Sequence, residues 1–232
     1  MAYHNNPRIV TDGLVLCLDA NAKRSYSGSG STWYDLTTNG NNATIVNATY
    51  NSNGYFTFDG TGDYMTCSTA TGWTSLTDMC AFVIARPTTI SRRHYLFDSR
   101  YTASGSSPSF GLGLDSNSSP FNFAQDASGY DEATSPTTFS TNNFFIFGLF
   151  RNGNSIQILD SDSVSKITPG IASNTLGTGA LTPAGYAIGA PYTLSDTYTW
   201  IGDIAAVWIY NRVLSQAECT QNYNAMKTRF GL

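Results

Sequence analysis

Trp200 to Phe230 read W-I-G-D-I-A-A-V-W-I-Y-N-R-V-L-S-Q-A-E-C-T-Q-N-Y-N-A-M-K-T-R-F, and this stretch decides the fold. From Ile201 to Tyr210 the apolar side chains are nearly continuous, interrupted only by Gly202 and Asp203. Such a run predicts a strand covered on both faces, or one that changes which face is covered. Ser215 then opens an S-x-x-E capping box with Glu218, and Leu214 and Cys219 occupy the two hydrophobic staple positions. Cys219, Tyr223, Met226 and Phe230 follow at helical spacing, one apolar stripe to lay against a sheet.

Working outward, Met79 to Ala85 is the most apolar segment and stops at Arg86-Pro87, which predicts a central strand. Tyr55 to Asp59 alternates as a half-buried strand does, and Asp63 to Ser68 follows across Gly60-Thr61-Gly62. Asn152-Gly153-Asn154 joins strands over 143–151 and 155–160 as a hairpin. Further strands are expected from Leu14 to Asp19 and over 94–98, 109–115, 120–125, 163–167 and 186–188. Trp33 to Asn42 and Thr168 to Pro183 read as loops. A series of short strands with one terminal helix predicts a two-sheet sandwich. Residues 13–232 read as one domain, preceded by an arm over 1–12 that carries Tyr3, His4, Pro7 and Arg8 without periodicity. The arm is expected to dock on a neighbouring subunit.

The same residues carry a family resemblance. The β-run followed by Y-N-R-x-L-S-x-x-E and a helix reaching N-Y-N-A resembles the laminin-G-like, concanavalin A-type jelly-roll family. Upstream, Gly13-Leu14-Val15-Leu16-Cys17-Leu18-Asp19, Trp33-Tyr34-Asp35-Leu36 with Asn39-Gly40-Asn41-Asn42-Ala43, and Phe56-Thr57-Phe58-Asp59-Gly60 with Asp63-Tyr64 extend it. The resemblance implies an all-β fold: a two-sheet antiparallel jelly-roll sandwich, concanavalin A-like or laminin-G-like, with a short C-terminal helix. The opening M-A-Y-H-N-N-P-R-I-V-T-D-G-L resembles stand-alone structural proteins of tailed bacteriophages.

Only 12% of residues are charged, against roughly 25% in ordinary soluble domains, so the surface must bond through hydroxyls and amides. The net charge of −4 disfavours a nucleic-acid partner, and the one basic cluster, Arg92-Arg93-His94, reads as a solvated loop. No apolar run approaches the roughly 18 residues of a membrane-spanning helix, so no membrane insertion is expected. The N-terminus lacks a signal-peptide pattern, which predicts synthesis in a host cytoplasm. Cys17, Cys67, Cys80 and Cys219 lie in apolar or strand-like runs with no C-x-x-C pair and read as buried free thiols.

Jelly-roll glucanases use E-x-D-x-x-E on one strand to aim carboxylates into a cleft. This chain has two glutamates: Glu132 in the loop-like Tyr130-Asp131-Glu132-Ala133, and Glu218 in the helix cap. Neither histidine, His4 or His94, has a G-x-S-x-G partner motif. Gly111-Leu112-Gly113 lacks the helix that phosphate binding needs. The chain is therefore expected not to be an enzyme, with no catalytic residues. Calcium is the one cofactor considered, through Asp59, Asp63 and Asp203. Ala205-Ala206 stand where many relatives carry an acidic pair, so no metal site is predicted.

Aromatic rings among hydroxyls and amides suit sugars, which nominates Trp73, Tyr101, Tyr130, Tyr192 and Tyr198. The resemblance and the composition together predict a virion structural protein, an external capsid decoration subunit with glycan binding as a second property. The alternative is a receptor-binding lectin on a tail fibre. The expected partners are other virion proteins, of capsid or tail, and host surface polysaccharide.

Overall fold

The computed structural model describes residues 8–73, 75–100, 108–159, 166–167, 170–171 and 176–232. In chain order the strands are β1 (Leu14–Asp19), β2 (Thr32–Trp33), β3 (Ala43–Val46), β4 (Thr49–Asn51), β5 (Tyr55–Asp59), β6 (Tyr64–Cys67) and β7 (Asp78–Pro87). There follow β8 (His94–Asp98), β9 (Ser109–Leu114), β10 (Pro120–Gln125), β11 (Tyr130–Thr134), β12 (Phe145–Asn152) and β13 (Ser155–Leu159). β14 (Lys166–Ile167), β15 (Gly170–Ile171), β16 (Tyr186–Ile188) and β17 (Ile201–Tyr210) complete the set before the helix α1 (Gln216–Phe230).

These strands form two antiparallel sheets. The first runs β14-β13-β12-β7-β17-β5-β4, with β1 sharing the β5 side of β17. The second runs β15-β11-β10-β9-β8-β16-β6-β3-β2. Between them lies the main core, where Phe56, Phe97, Phe110, Trp73 and Trp200 are buried. A second apolar layer, with Phe82, Phe150, Trp208 and Tyr210, separates the first sheet from α1.

β17 fulfils both readings of its apolar run. Ile204, Val207 and Ile209 face the core between the sheets, while Ala205, Ala206, Trp208 and Tyr210 face the helix side. The register against β7 shifts between Ile204 and Ala206. One extra residue there turns two successive side chains to the same side, as a β-bulge does. Burial on both faces explains why polar alternation is absent.

The helix ends are closed as expected. Ser215 Oγ accepts the Glu218 amide and the Glu218 carboxylate accepts the Ser215 amide; Gly231 at φ 69° closes the other end by donating to the Lys227 carbonyl. Cys219 and Met226 are buried and Tyr223 and Phe230 half-buried, but the stripe also includes Asn222, which is 1% exposed. The hairpin pairs Asn152 with Ser155 around a turn of Gly153 and Asn154.

Several expectations need correction. The 60–62 turn is a crossing between sheets, because β5 belongs to the first sheet and β6 to the second. Tyr130 to Ala133 is strand β11, not a loop; its charges sit on alternate sides, with Asp131 buried and Glu132 half-buried. Trp33, read as a loop residue, ends β2 and pairs with Ala43 of β3. Arg92-Arg93-His94 is no solvated loop: His94 is fully buried and opens β8. Its Nδ1 lies 2.8 Å from the Thr199 carbonyl, which can only accept, so Nδ1 carries the proton. All four cysteines are free and buried.

The motif around Trp33 to Asn42 holds the sandwich edge. Asp35 accepts from the Cys17, Thr37 and Asn41 amides, and Asn41 reaches the Val15 and Thr71 carbonyls. Tyr186 Oη donates 2.6 Å to the Asn41 carbonyl.

Candidate functional site

The side of the second sheet facing away from the core is built on two glycines. Gly111 and Gly113 of β9 stand opposite Phe123 and Phe121 of β10. A Cβ at Gly113 would come within 2.7 Å of the Phe121 ring, and one at Gly111 within 2.3 Å of the Phe123 ring. Without those carbons the two phenyl rings lie flat across β9. On the other flank, a register shift between Tyr95 and Phe97 sends Leu96 and Phe97 into the core and leaves Tyr95 and Asp98 outside.

Two arginines lie over this phenyl floor. The Arg93 guanidinium is 3.7 Å from the centroid of Phe121, and that of Arg100 is 4.3 Å from Phe123. Both distances are well inside the range where a cation is drawn to a ring face. Each is pinned by a carboxylate. Arg93 donates through both terminal nitrogens to Glu132 at 2.8 Å, and Arg100 donates through Nε and Nη2 to Asp98. Tyr130 Oη adds a 2.6 Å bond to Glu132, and the Tyr192 amide a 3.0 Å bond to Asp98. Arg100 also sits 4.7 Å from the Tyr192 ring, and Tyr95 packs edge-on to Tyr198.

The electrostatics follow from this pairing. Burial pulls the Arg93 and Arg100 guanidiniums down, but Glu132 and Asp98 outweigh it, and both end above their ordinary values. Burial alone would raise Glu132; Arg93 and Tyr130 outweigh that and hold it below the carboxylate range. Burial, then Glu132, pushes the Tyr130 phenol well up, so it stays a hydrogen-bond donor. The surface is thus rigid and nearly neutral, with half-exposed rings at Tyr95, Tyr192 and Tyr198.

Of the nominated rings, Tyr130, Tyr192 and Tyr198 converge here, and Tyr198 is 43% exposed. Trp73 does not. It is fully buried between the sheets against Phe97, Phe110 and Tyr186, because its loop turns the indole inward, and it is no sugar platform. Tyr101, and Tyr3, His4 and Pro7 of the arm, lie outside the described residues. Arg8 is exposed, and its carbonyl accepts from Gln221 of this chain's own helix. Tyr95, Arg93, Arg100 and Glu132 were not foreseen. The signal that reveals them is G-x-G facing F-x-F in successive segments, Gly111-Leu112-Gly113 and Phe121-Asn122-Phe123.

Beyond the arginines the same side changes character. A single row crosses eight strands: Glu132, Phe123, Gly111, Asp98, Ala187, Thr66, Thr44, Thr32. Its far end is hydroxyl-bearing. Asp203, considered for calcium, pairs instead with Arg86 and accepts from Thr57, while Asp63 accepts the Asp59 amide. Among the described residues no group of three His, Cys, Asp or Glu side chains is disposed to hold a metal ion.

This architecture is a concanavalin A-like jelly-roll sandwich. No protein-family model matches the chain, and no curated protein matches it. Among solved structures it is similar to Trypanosoma rangeli sialidase in complex with sialic acid, at TM-score 0.66 and 16% identity, over 95% of this chain and 34% of that one. It is also similar to the HCR/D F1240A mutant (TM-score 0.67, 11% identity, 95% of this chain and 53% of that one). The native heptameric SAP-like pentraxin of Limulus polyphemus matches at TM-score 0.53 and 12% identity, over 73% of this chain and 80% of that one. The chain spans about a third of the length of the sialidases it matches, and at these identities the likeness is one of fold.

The expectation that the chain is not an enzyme is overturned by these matches. The sialidase is an enzyme whose chain extends well beyond this sandwich.

Proposed function

We propose that the protein is a carbohydrate-recognition module that binds glycans on the aromatic and arginine-bearing side of its second sheet. The observation that carries this reading is the convergence of Tyr95, Tyr192 and Tyr198 around Arg93 and Arg100, both immobilised by carboxylates. Rings fixed in place offer apolar sugar faces a platform at little entropic cost. A lectin-like fold adds plausibility without naming the sugar. The test is a glycan array probed with the wild-type protein and with Tyr198→Ala and Tyr192→Ala. Ligands of the wild type should bind each variant about tenfold more weakly at unchanged melting temperature. Undiminished binding by both variants would sink the assignment.

We further propose display on a tailed-phage particle, which rests on the opening residues alone. Antibody labelling of purified particles under the electron microscope decides it: head label makes a decoration subunit, tail-tip label a receptor-binding lectin, and no label removes the virion setting.

A further inference from the structure

A second concavity, of about 520 Å³, opens at the edge of the first sheet, where the 20–30 loop passes β4. Its walls include the rings of Tyr26 and Tyr50, and its rim is formed by Asn21, Lys23, Ser27 and Ser52. The volume falls within the roughly 300–1,000 Å³ typical of small-ligand sites. The aromatic wall is fixed from behind. Tyr26 and Tyr50 each pack on Phe56, which packs on the buried Trp33, and Tyr26 Oη is held by the Gly30 carbonyl at 2.9 Å. The rim supplies an amide and two hydroxyls that stay in solvent.

The remaining rim group decides the ligand. Lys23 is exposed, and among the described residues it makes no ion pair. Asp19, the nearest carboxylate along the chain, is taken by Arg229. In a protein of net charge −4, an uncompensated ammonium beside an aromatic wall marks a local preference for anions. We propose that this concavity is a second saccharide site, selective for sugars that bear a carboxylate. The sugar ring would lie against Tyr50, its hydroxyls on Asn21, Ser27 and Ser52, and its carboxylate on Lys23. It shares the ligand class of the site described above and none of its residues.

The test is calorimetric titration of the full chain with a hexuronate trisaccharide and with the neutral hexose trisaccharide of the same linkage. The wild type should bind the uronate at least about tenfold more tightly, and this preference should shrink as salt is raised. Lys23→Gln should level the two affinities, and Ser52→Trp should fill the space and abolish both. Lys23 and Ser52 are exposed, and matching melting curves verify that the variants fold. Equal affinities in the wild type, or a preference that survives Lys23→Gln, would refute the carboxylate assignment. Uronate binding lost in Tyr198→Ala but kept in Ser52→Trp would place the ligand on the sheet and overturn this site while upholding the first. No binding of either trisaccharide overturns this site and leaves the glycan array to decide the other.

Discussion

Asn222 and Tyr210 are joined by a buried hydrogen bond of 3.1 Å, the amide of the helix donating to the hydroxyl that ends the central strand. The same two side chains share Val10: its amide donates to Asn222 Oδ1 at 2.8 Å, and its carbonyl accepts from Tyr210 Oη at 2.9 Å. The end of the strand and the helix thus meet a segment some 200 residues earlier in the sequence, and the described end of the arm is folded onto its own chain.

Replacing Asn222 by Leu strands the Val10 amide in an apolar layer and leaves the Tyr210 hydroxyl only its bond to the Val10 carbonyl. The expected loss is about 1–3 kcal/mol, read as a lower urea midpoint at unchanged slope. Tyr210→Phe removes one partner of the same set. The double variant should lose less than the two single losses added together, since the groups act as one unit.

Gly113→Ala tests whether the phenyl floor depends on an absent side chain. The new Cβ would lie 2.1 Å from the His94 carbonyl oxygen as well as against Phe121. Backbone cannot yield as a flexible side chain can, so a destabilisation of about 3 kcal/mol is expected by chemical denaturation. Glycan binding on the sheet should fall with it.

Arg151 is the one fully buried arginine among the described residues, donating to Asp126 at 3.0 Å and to the Leu76, Gly177 and Gly179 carbonyls. Arg151→Met leaves the Asp126 carboxylate buried without its cation and should cost about 3–5 kcal/mol. Adding Asp126→Asn should recover part of that loss in calorimetric melts.

Arg93→Lys keeps the charge but loses the planar fork that meets Glu132 twice and lies on Phe121. Affinity for array ligands should drop about tenfold, while the melting temperature falls by only a few degrees.

Acid should weaken the helix start as the Glu218 carboxylate is protonated. Arg212, then the Ser215 amide, hold the Glu218 carboxyl down at about 2 instead of the ordinary 4.5. Because the folded value is the lower one, the stabilisation is complete above pH 4.5 and drains away as pH falls toward about 2. Glu218→Gln should melt lower at neutral pH and show a flatter melting-temperature profile across that window, followed by differential scanning calorimetry.

The fold was legible where burial imposes a period. β17, β7 and the capped helix announce themselves because both faces of the first sheet are covered and because Ser215 and Glu218 satisfy orphan amides. β11 was hidden because its charges, Asp131 and Glu132, find partners through folding that no local pattern shows. Arg93 misled for the same reason: its neutralising Glu132 is distant in sequence and adjacent only across the sheet. Loop position alone could not tell Trp73, turned inward, from Tyr198, turned out. Tyr130, Tyr192 and Tyr198 were nominated from their surroundings, but Tyr95 and the cations that organise the surface were not.

The junction of Val10 with Asn222 has an architectural consequence. Both ends of the described chain leave from the helix-covered side of the sandwich, and the candidate sugar surface looks the opposite way. A partner fused at either end, or a solid support coupled there, would hold the module like a dish on a mast, recognition surface outward. Tethering chemistry placed at Leu232 would therefore leave the rings of Tyr95, Tyr192 and Tyr198 unshaded.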